Sequence, residues 1–140
     1  MEAVAYTSGK VVARHKIETT GEAVKLVAQP DKPLNVPSPA LKWLADGTDL
    51  QHVRIFTVDK KNREVPTAQG EVTFSIDGPA DIVSVVNGDI NSNEMMVGNC
   101  RSLYNGSCSV ILRSRRQSGV VVLTASMQGM KPVQLKLKTE

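Results

Sequence analysis

The sequence has few aromatic residues and no long apolar run. Aromatic side chains make up 4% of the 140 residues, whereas 41% of the chain is hydrophobic. The core must therefore be built from Val, Ile, Leu and Met, and β-branched residues favour strands. The longest apolar run, Val120–Leu123, falls far short of the ~20 residues that a membrane-spanning helix needs. We expect a β-rich chain that does not enter a membrane.

The charge balance gives no sign of a nucleic-acid partner. The 17 basic and 14 acidic residues leave a net charge of +3. Basic residues are scattered, apart from Arg113, Arg115, Arg116 and the pair Lys60–Lys61. Nucleic-acid-binding proteins concentrate positive charge on one surface and often add stacking aromatics. We interpret these residues as solvated strand ends and turns.

Residues that carry catalysis are also scarce. The only histidines are His15 and His52, and neither stands beside a nucleophile motif. A glycosidase site needs two carboxylates about 5–10 Å apart across a cleft, but most of the aspartates fall in predicted turns, where Asp usually bonds its own backbone. The sequence therefore predicts no catalytic residue, no metal site and no cofactor.

Two cysteines stand eight residues apart, at Cys100 and Cys108. If Asn105–Gly106 forms a two-residue type I′ turn, Tyr104 faces Ser107 and Cys100 faces Ile111. The two sulfurs are then not opposed across the hairpin, so a disulfide is disfavoured. We expect two free thiols, with Cys108 acting as a small buried hydrophobe.

Short alternating runs separated by turn residues recur along the chain, and no 3.6-residue period competes with them. About seven strands fit between Ala23 and Glu140, at the spacing typical of sandwiches. This pattern predicts an all-β, immunoglobulin-like antiparallel β-sandwich over residues 23–140, with a small barrel as the alternative. The clearest predicted strands are Val53–Val58, Val72–Ile76, Ile82–Val86, Ser107–Leu112, Val120–Ala125 and Val133–Lys138.

Two segments depart from this regularity. Residues 1–22 predict a β-hairpin with a turn at Thr7–Lys10, and a lone hairpin is marginal in water. It should pack on the sandwich, pair with another copy in a homo-oligomer, or belong to a neighbouring module. Pro30–Leu44 holds four prolines, which fix extended conformations and predict a long semi-rigid loop ending at Trp43.

Two further features invite a ligand hypothesis. Asp89, Asn91 and Asn93 match the first ligands of a calcium loop, but Glu94 occupies the glycine position, so we favour a hydrogen-bonded structural loop. Trp43 and Tyr104 are the candidate carbohydrate contacts, together with Tyr6. Large apolar rings are mostly buried, so Trp43 is more readily interpreted as a plug at the end of the sandwich.

A set of turn-and-strand motifs, taken in order, resembles the C-terminal immunoglobulin-like module of bacterial β-galactosidases of glycoside hydrolase family 2. The resemblance covers roughly Ala23–Lys131, and it departs from the family pattern at Pro30–Leu44 and at Ile90. Upstream, Val4–Tyr6 with Gly9–Ala13 looks like the closing hairpin of the preceding sandwich module. The motifs are Ala45–Leu50, Val53–Asp59, Val65–Ala68, Val72–Ala80, Asn87–Asp89, Tyr104–Gly106 followed by Cys108, and Leu123–Ala125.

The resemblance implies a setting rather than a catalytic site. In that family the catalytic glutamates lie in a separate TIM-barrel domain that this chain lacks, so no catalytic residue carries over. The parent resembles a periplasmic or extracellular enzyme that removes terminal β-linked galactose or a related sugar. This chain would be its non-catalytic accessory module, and the other domains of the parent would be its partners.

Two rival functions stay open on the sequence alone. One is carbohydrate binding through Trp43 and Tyr104, which would hold the parent enzyme near glycans. The other is an invasin-like cell-surface adhesion module, because the same strand pattern and the Asp46–Asp49 motif also occur there.

Overall fold

Ten β-strands make up the regular structure of the chain in the computed structural model, which describes residues 1–31 and 42–140. Most of the predicted loop Pro30–Leu44 therefore lies outside the described residues. In the part that is described, no helix is long and apolar enough to span a membrane. The strands are β1 (Glu2–Thr7), β2 (Lys10–Lys16), β3 (Lys25–Pro30), β4 (Leu50–Val58), β5 (Glu71–Asp77), β6 (Ala80–Val86), β7 (Cys100–Ser102), β8 (Ser107–Ser114), β9 (Gly119–Met127) and β10 (Val133–Thr139).

Strands β3 to β10 form two four-stranded antiparallel sheets. One has the order β3-β4-β8-β6 and the other the order β10-β9-β5-β7. The first sheet and strands β5, β9 and β10 reproduce the seven-strand immunoglobulin arrangement, and β7 adds a short eighth strand beside β5. The predicted all-β, immunoglobulin-like sandwich is confirmed. The barrel alternative is wrong, because the strands form two separate sheets.

The interior is filled by alternate side chains from the inner faces of both sheets. As predicted, it is almost wholly aliphatic, with Phe74 and Trp43 as the aromatic rings of the core cluster. Along β10, Leu135 and Leu137 turn inward while Lys136 and Lys138 are exposed, which is the period of two expected for a half-buried strand. The most deeply buried apolar side chains, each at most 1% exposed, are Leu26, Val53, Ile55, Val72, Phe74, Ala80, Val85, Val110, Leu112, Val121, Leu123 and Ala125.

The strand pairings define two ends of the sandwich. At one end β3 begins and β4 ends, with Lys25 opposite Val58. We call this the proximal end, because the chain reaches the sandwich here from the hairpin. It also carries the β4–β5 connection, the 87–94 segment and the tight turn at 103–106. The opposite, distal end carries Trp43 and the last residue of β10.

The predicted N-terminal hairpin is present and forms a sheet of its own. β1 pairs with β2 through a two-residue turn, with positive φ at both Ser8 (49°) and Gly9 (75°). This is the type I′ geometry that suits a tight hairpin. Every residue of β2 is exposed. The hairpin thus belongs to neither sheet of the sandwich.

Asp59 ties the segment after the hairpin to the proximal end. Its carboxylate accepts hydrogen bonds from the backbone N–H of Gly21 at 3.0 Å and of Lys61 at 2.9 Å. The Arg63 guanidinium donates to the same carboxylate at 2.7 and 2.9 Å. The Arg63 hydrogen bonds and these backbone donors hold the pKa of Asp59 well below its usual range.

The predicted register of the two cysteines is wrong, although Tyr104 does pair with Ser107 as expected. Cys100 lies opposite Thr73 in one sheet, whereas Cys108 lies opposite Ile55 in the other. The hairpin is short because the chain changes sheets between β7 and β8. Both thiols are free, and Cys108 is buried as predicted.

Truncating the core should be costly. Leu123→Ala removes a fully buried side chain from β9, and we expect it to lower the free energy of unfolding by about 3 kcal/mol. Val120→Ala in the same strand is the matched control, because Val120 is 58% exposed and its loss should cost no more than about 0.5 kcal/mol. Urea denaturation of both variants measures the difference, and equal losses would contradict the described core.

Asp59 should make stability depend on pH in the acid range. Its folded pKa lies below the unfolded value of about 3.9, so its contribution is present above that value and is lost as the pH falls towards the folded pKa. We expect the wild type to lose more stability between pH 6 and pH 3 than Asp59→Asn does. Urea denaturation at the two pH values tests this, and equal losses of stability in the wild type and in Asp59→Asn would contradict the role of Asp59.

Candidate functional site

In the part of the chain that the structure describes, the chemically reactive side chains are not brought together. His15 is exposed on β2 and His52 is exposed on β4. Over residues 1–31 and 42–140, no group of three or more His, Cys, Asp or Glu side chains could hold a metal ion. Candidate function must therefore be sought on surfaces and in loops.

Trp43 lies in the core at the distal end, where it is 7% exposed. Its indole Nε1 donates to the Asp49 carbonyl at 3.1 Å, and its own carbonyl accepts from the Glu140 N–H at 2.9 Å. The Asp49 carboxylate caps the segment by accepting from the Leu44 N–H at 2.8 Å. These contacts agree with the predicted plug, and they leave no ring face of Trp43 available for a sugar.

Tyr104, the other candidate carbohydrate contact, lies at the proximal end, where it is 42% exposed. It leads into the predicted type I′ turn, with positive φ at Asn105 (50°) and Gly106 (74°). Gly106 packs against the β4–β5 connection so closely that a Cβ there would lie 2.1 Å from the Val65 carbonyl oxygen. The turn that presents Tyr104 is therefore fixed by a close backbone contact.

The oxygen-rich segment 87–94 is a hydrogen-bonded loop, as the sequence suggests. The Asp89 carboxylate accepts from the Asn91 N–H at 2.9 Å, and the Asn87 side-chain oxygen accepts from the Asp89 N–H at 3.1 Å. Such Asx turns satisfy local backbone donors. These side-chain oxygens already serve the loop itself.

Arg101 is the organising residue of this loop, and the sequence analysis missed it. Its side chain is 2% exposed, and its guanidinium donates to the Glu94 carbonyl and to the Asn87 side-chain oxygen, both at 2.9 Å. Its Nε lies 3.3 Å from one carboxylate oxygen of Glu94. The other carboxylate oxygen of Glu94 accepts from the Ser102 hydroxyl at 2.5 Å. A signal was present in retrospect, because a loop rich in acceptors needs a buried donor.

The thiols are poorly suited to nucleophilic chemistry. Burial raises the pKa of Cys108 to about 12, and desolvation with the nearby Glu71 carboxylate raises that of Cys100. Since the thiolate is the reactive form, both cysteines are held in their inert protonated state at neutral pH.

An open groove of about 620 Å³ crosses the proximal end of the β9–β5 sheet. Its lining offers amide, hydroxyl and carboxylate groups, but no pairing of a nucleophile with a base. The groove can therefore hydrogen-bond a polar molecule. It is lined by Gln69, Gly70, Glu71, Thr73, Ser126, Met127 and Gln128.

Comparison with protein families gives a match over most of the sandwich. A family model described as glycoside hydrolase family 2 C-terminal domain 5 matches residues 34–136. The matched range excludes the N-terminal hairpin and includes the Trp43 plug, the Arg101 loop and the Tyr104 turn.

Two relatives extend the match to the hairpin. The chain is 31% identical over 140 residues to a β-galactosidase of Bacteroides ovatus, covering 100% of this chain and 16% of that protein. It is 34% identical over 148 residues to a β-glucuronidase of Formosa agariphila, covering 97% of this chain and 14% of that protein. The chain thus spans about a sixth of the length of these relatives.

Solved structures agree with the fold. A glycosyl hydrolase family 2 member from Bacteroides cellulosilyticus superimposes with a TM-score of 0.84 at 28% identity, over 99% of this chain and 17% of that chain. A β-glycosidase from Bacteroides vulgatus has the same fold, with a TM-score of 0.86 at 21% identity over 99% of this chain and 17% of that chain.

Gly106 should tolerate no side chain. Gly106→Ala would place a Cβ against the Val65 carbonyl at a positive φ, and we expect it to lower the free energy of unfolding by about 3 kcal/mol. Gly129→Ala is the matched control: its φ of +81° is similar, but no atom lies within 4 Å of the added Cβ. It should cost about 1 kcal/mol. Thermal unfolding of the two variants distinguishes crowding from backbone strain.

Proposed function

Because the chain belongs to the glycoside hydrolase family 2 C-terminal domain 5 family, we propose that it is a non-catalytic accessory module packed against the rest of a larger glycosidase. The proposed parent hydrolyses terminal β-galactosides or a related sugar, such as a β-glucuronide. The names of the two relatives support this range. They also favour a glycosidase setting over an adhesion module.

The family match carries the non-catalytic part of the proposal, and the acidic side chains discussed next agree with it. A glycosidase acid needs a raised pKa to stay protonated at neutral pH. Here the pKa of Asp81 is lowered by its hydrogen bonds to Arg115, and that of Glu94 is lowered first by Ser102. The pKa of Asp59 is lowered by its hydrogen bonds to Arg63. These carboxylates serve as structural acceptors and not as proton donors.

We assign the hairpin at residues 1–22 to the preceding module of the parent, and residues 23–140 to the accessory sandwich. The supporting facts are the separate two-stranded sheet and the start of the family match at residue 34. Exposed apolar residues on the hairpin, including Tyr6 and Val12 at 64% and 60%, suit addition to a neighbouring sheet. Pairing with a second copy is the other outcome.

Removing the module from the parent enzyme tests the accessory role. Deletion of residues 23–140 should leave kcat on a p-nitrophenyl β-galactoside or β-glucuronide within about threefold, because small substrates need only the catalytic domain. It should shorten the half-life of the enzyme on heating, since the packed surface is lost. The isolated chain should give no turnover above the blank.

Two results would contradict the proposal. Turnover by the isolated chain that is lost in a carboxylate variant such as Asp81→Asn would make it an enzyme. A deletion variant as heat-resistant as the parent would show that the module does not stabilise its neighbours. Should the deletion variant fail to fold, the parent carrying Leu123→Ala, which loosens the module alone, supplies the same comparison.

Contact with oligosaccharide is a second proposal, and the exposure of Tyr104 favours it. An exposed ring can stack on a sugar face, and the polar groove lies at the same end of the sandwich. Trp43 can contribute only by holding the fold. Affinity electrophoresis in galactan should show retardation of the chain that Tyr104→Ala removes, and migration unaffected by any glycan would exclude this role.

We further propose that the parent is periplasmic or extracellular, where oligosaccharide substrates are met. Cell fractionation with an antibody against this module tests the location, and recovery in the cytosol alone would contradict it.

A further inference from the structure

The connector between the hairpin and the sandwich, residues 17–24, is held by hydrogen bonds at both ends. At the hairpin end, the Ile17 N–H donates to the Met1 carbonyl at 2.8 Å. Towards the sandwich, the Gly21 N–H donates to a carboxylate of the proximal end at 3.0 Å. Only residues 18–20 lie between these two attachments, so the connector has little freedom.

The carboxylate that binds the connector belongs to Asp59, and its two oxygens have different partners. Oδ1 accepts from the backbone N–H groups of Lys61 and Arg63, at 2.9 and 3.0 Å. Oδ2 accepts from the Gly21 N–H at 3.0 Å and from the Arg63 guanidinium at 2.7 and 2.9 Å. One oxygen therefore closes the local turn, and the other holds the connector.

Burial makes Asp59 the strongest point of this attachment. Asp59 is 3% exposed, and charge-assisted hydrogen bonds are stronger than neutral ones. Arg63 also lies 3.6 Å from the carboxylate of Glu18 in the connector, but these two side chains are 27% and 40% exposed. Exposed ion pairs contribute little. The position of the connector therefore depends mainly on Oδ2 of Asp59.

Release of Gly21 would lengthen the free part of the connector. In the described part of the chain, the next backbone hydrogen bond to the sandwich runs from the Val24 N–H to the Val58 carbonyl at 2.9 Å. Residues 18–23 would then lack a backbone attachment, instead of residues 18–20. Since each extended residue spans about 3.5 Å, the reach of the connector would grow by about 10 Å.

We propose that Asp59 is an orienting clamp, which binds Gly21 and thereby sets the angle at which the preceding module meets the sandwich. The hairpin belongs to neither sheet of the sandwich, so its placement depends on the path of the connector. Arg63 supports the clamp by donating to the same oxygen. This role of Asp59 rests on the proposed function, in which the hairpin is part of the preceding module.

The distance between two spin labels tests the clamp in the chain itself. One label is placed at Thr19 in the connector and the other at Lys136 on β10, both exposed, after Cys100→Ser removes the exposed thiol. Double electron–electron resonance should give one narrow distance distribution while Asp59 is intact. Asp59→Asn keeps an oxygen for the local turn but loses the acceptor for Gly21, and we expect a distribution at least twice as wide.

Glu64→Gln is the matched control. Glu64 forms a neighbouring carboxylate–guanidinium pair with Arg54, at 2.7 and 3.0 Å, which joins β4 to the β4–β5 connection. Its loss removes a similar charge from the same region, and it should leave the distance distribution unchanged.

A second pair of variants acts from the connector side, so it keeps the test valid if Asp59→Asn unfolds the sandwich. Gly21→Pro removes the N–H that binds Asp59, and it should shift or widen the distribution. Gly21→Ala keeps the N–H, and its added Cβ would lie 3.7 Å from the Asp59 carboxylate, which is an ordinary contact. This variant should match the wild type.

The same measurement in the parent enzyme extends the test from the connector to the module. The first label is moved to Lys10 on the exposed turn of the hairpin, and other exposed cysteines of the parent are replaced. We expect Asp59→Asn to widen this distribution as well. An unchanged distribution there would show that contacts between the modules, and not the clamp, set the orientation.

Two further results would overturn the assignment. Equal distributions in the wild type, Asp59→Asn and Gly21→Pro would show that the connector is not held by this carboxylate. A distribution in Glu64→Gln as wide as in Asp59→Asn would make the effect one of local charge. Each of these results leaves the accessory role intact, because deletion of residues 23–140 from the parent tests that role separately.

Discussion

The packing of two aliphatic sheet faces against each other is the constraint on which the rest of this molecule depends. Val, Leu and Ile side chains from both inner faces fill the space between the sheets, together with the rings of Phe74 and Trp43. An interior packed in this way has no room for a ligand. Function must therefore lie on the outside, in the loops and in the surfaces that the sheets hold in place.

Buried polar residues then decide how the loops are arranged at the proximal end. Asp59 accepts hydrogen bonds from backbone N–H groups of two segments, and Arg101 donates hydrogen bonds to two acceptors of one long loop. Each is a charged group removed from water and compensated by partners, which is the condition under which burial of a charge is tolerated. The result is a proximal end of fixed shape, suited to meeting another protein surface.

Much of the fold could be predicted from the sequence, because strand periodicity and turn chemistry are local signals. The alternation of apolar and polar residues along β10 and the turn signal at Asn105–Gly106 both predicted the structure that is observed. The pairing of Cys100 could not be predicted in this way, because its partner Thr73 is distant in sequence. The strand that follows, β8, belongs to the other sheet. Arg101 was missed for a related reason: its acceptors, Asn87 and Glu94, become neighbours only when the loop folds back.

The candidate site was less predictable than the fold. Met95 and Val97 lie in a loop whose sequence has no strand or helix period, so their exposure could not be predicted from a pattern. The sequence did anticipate that Trp43 would close an end of the sandwich, because a large ring in a chain so poor in aromatics is expected to be buried.

The backbone hydrogen bonds between the Trp43 segment and Glu140 determine when the distal end can close during synthesis. The backbone of Trp43 and Ala45 exchanges hydrogen bonds with Glu140, so the indole is sealed only when β10, which is synthesised after the nine other described strands, has docked. During synthesis the sandwich would remain open at its distal end until then. As the single tryptophan, Trp43 would report this final closure through its own fluorescence.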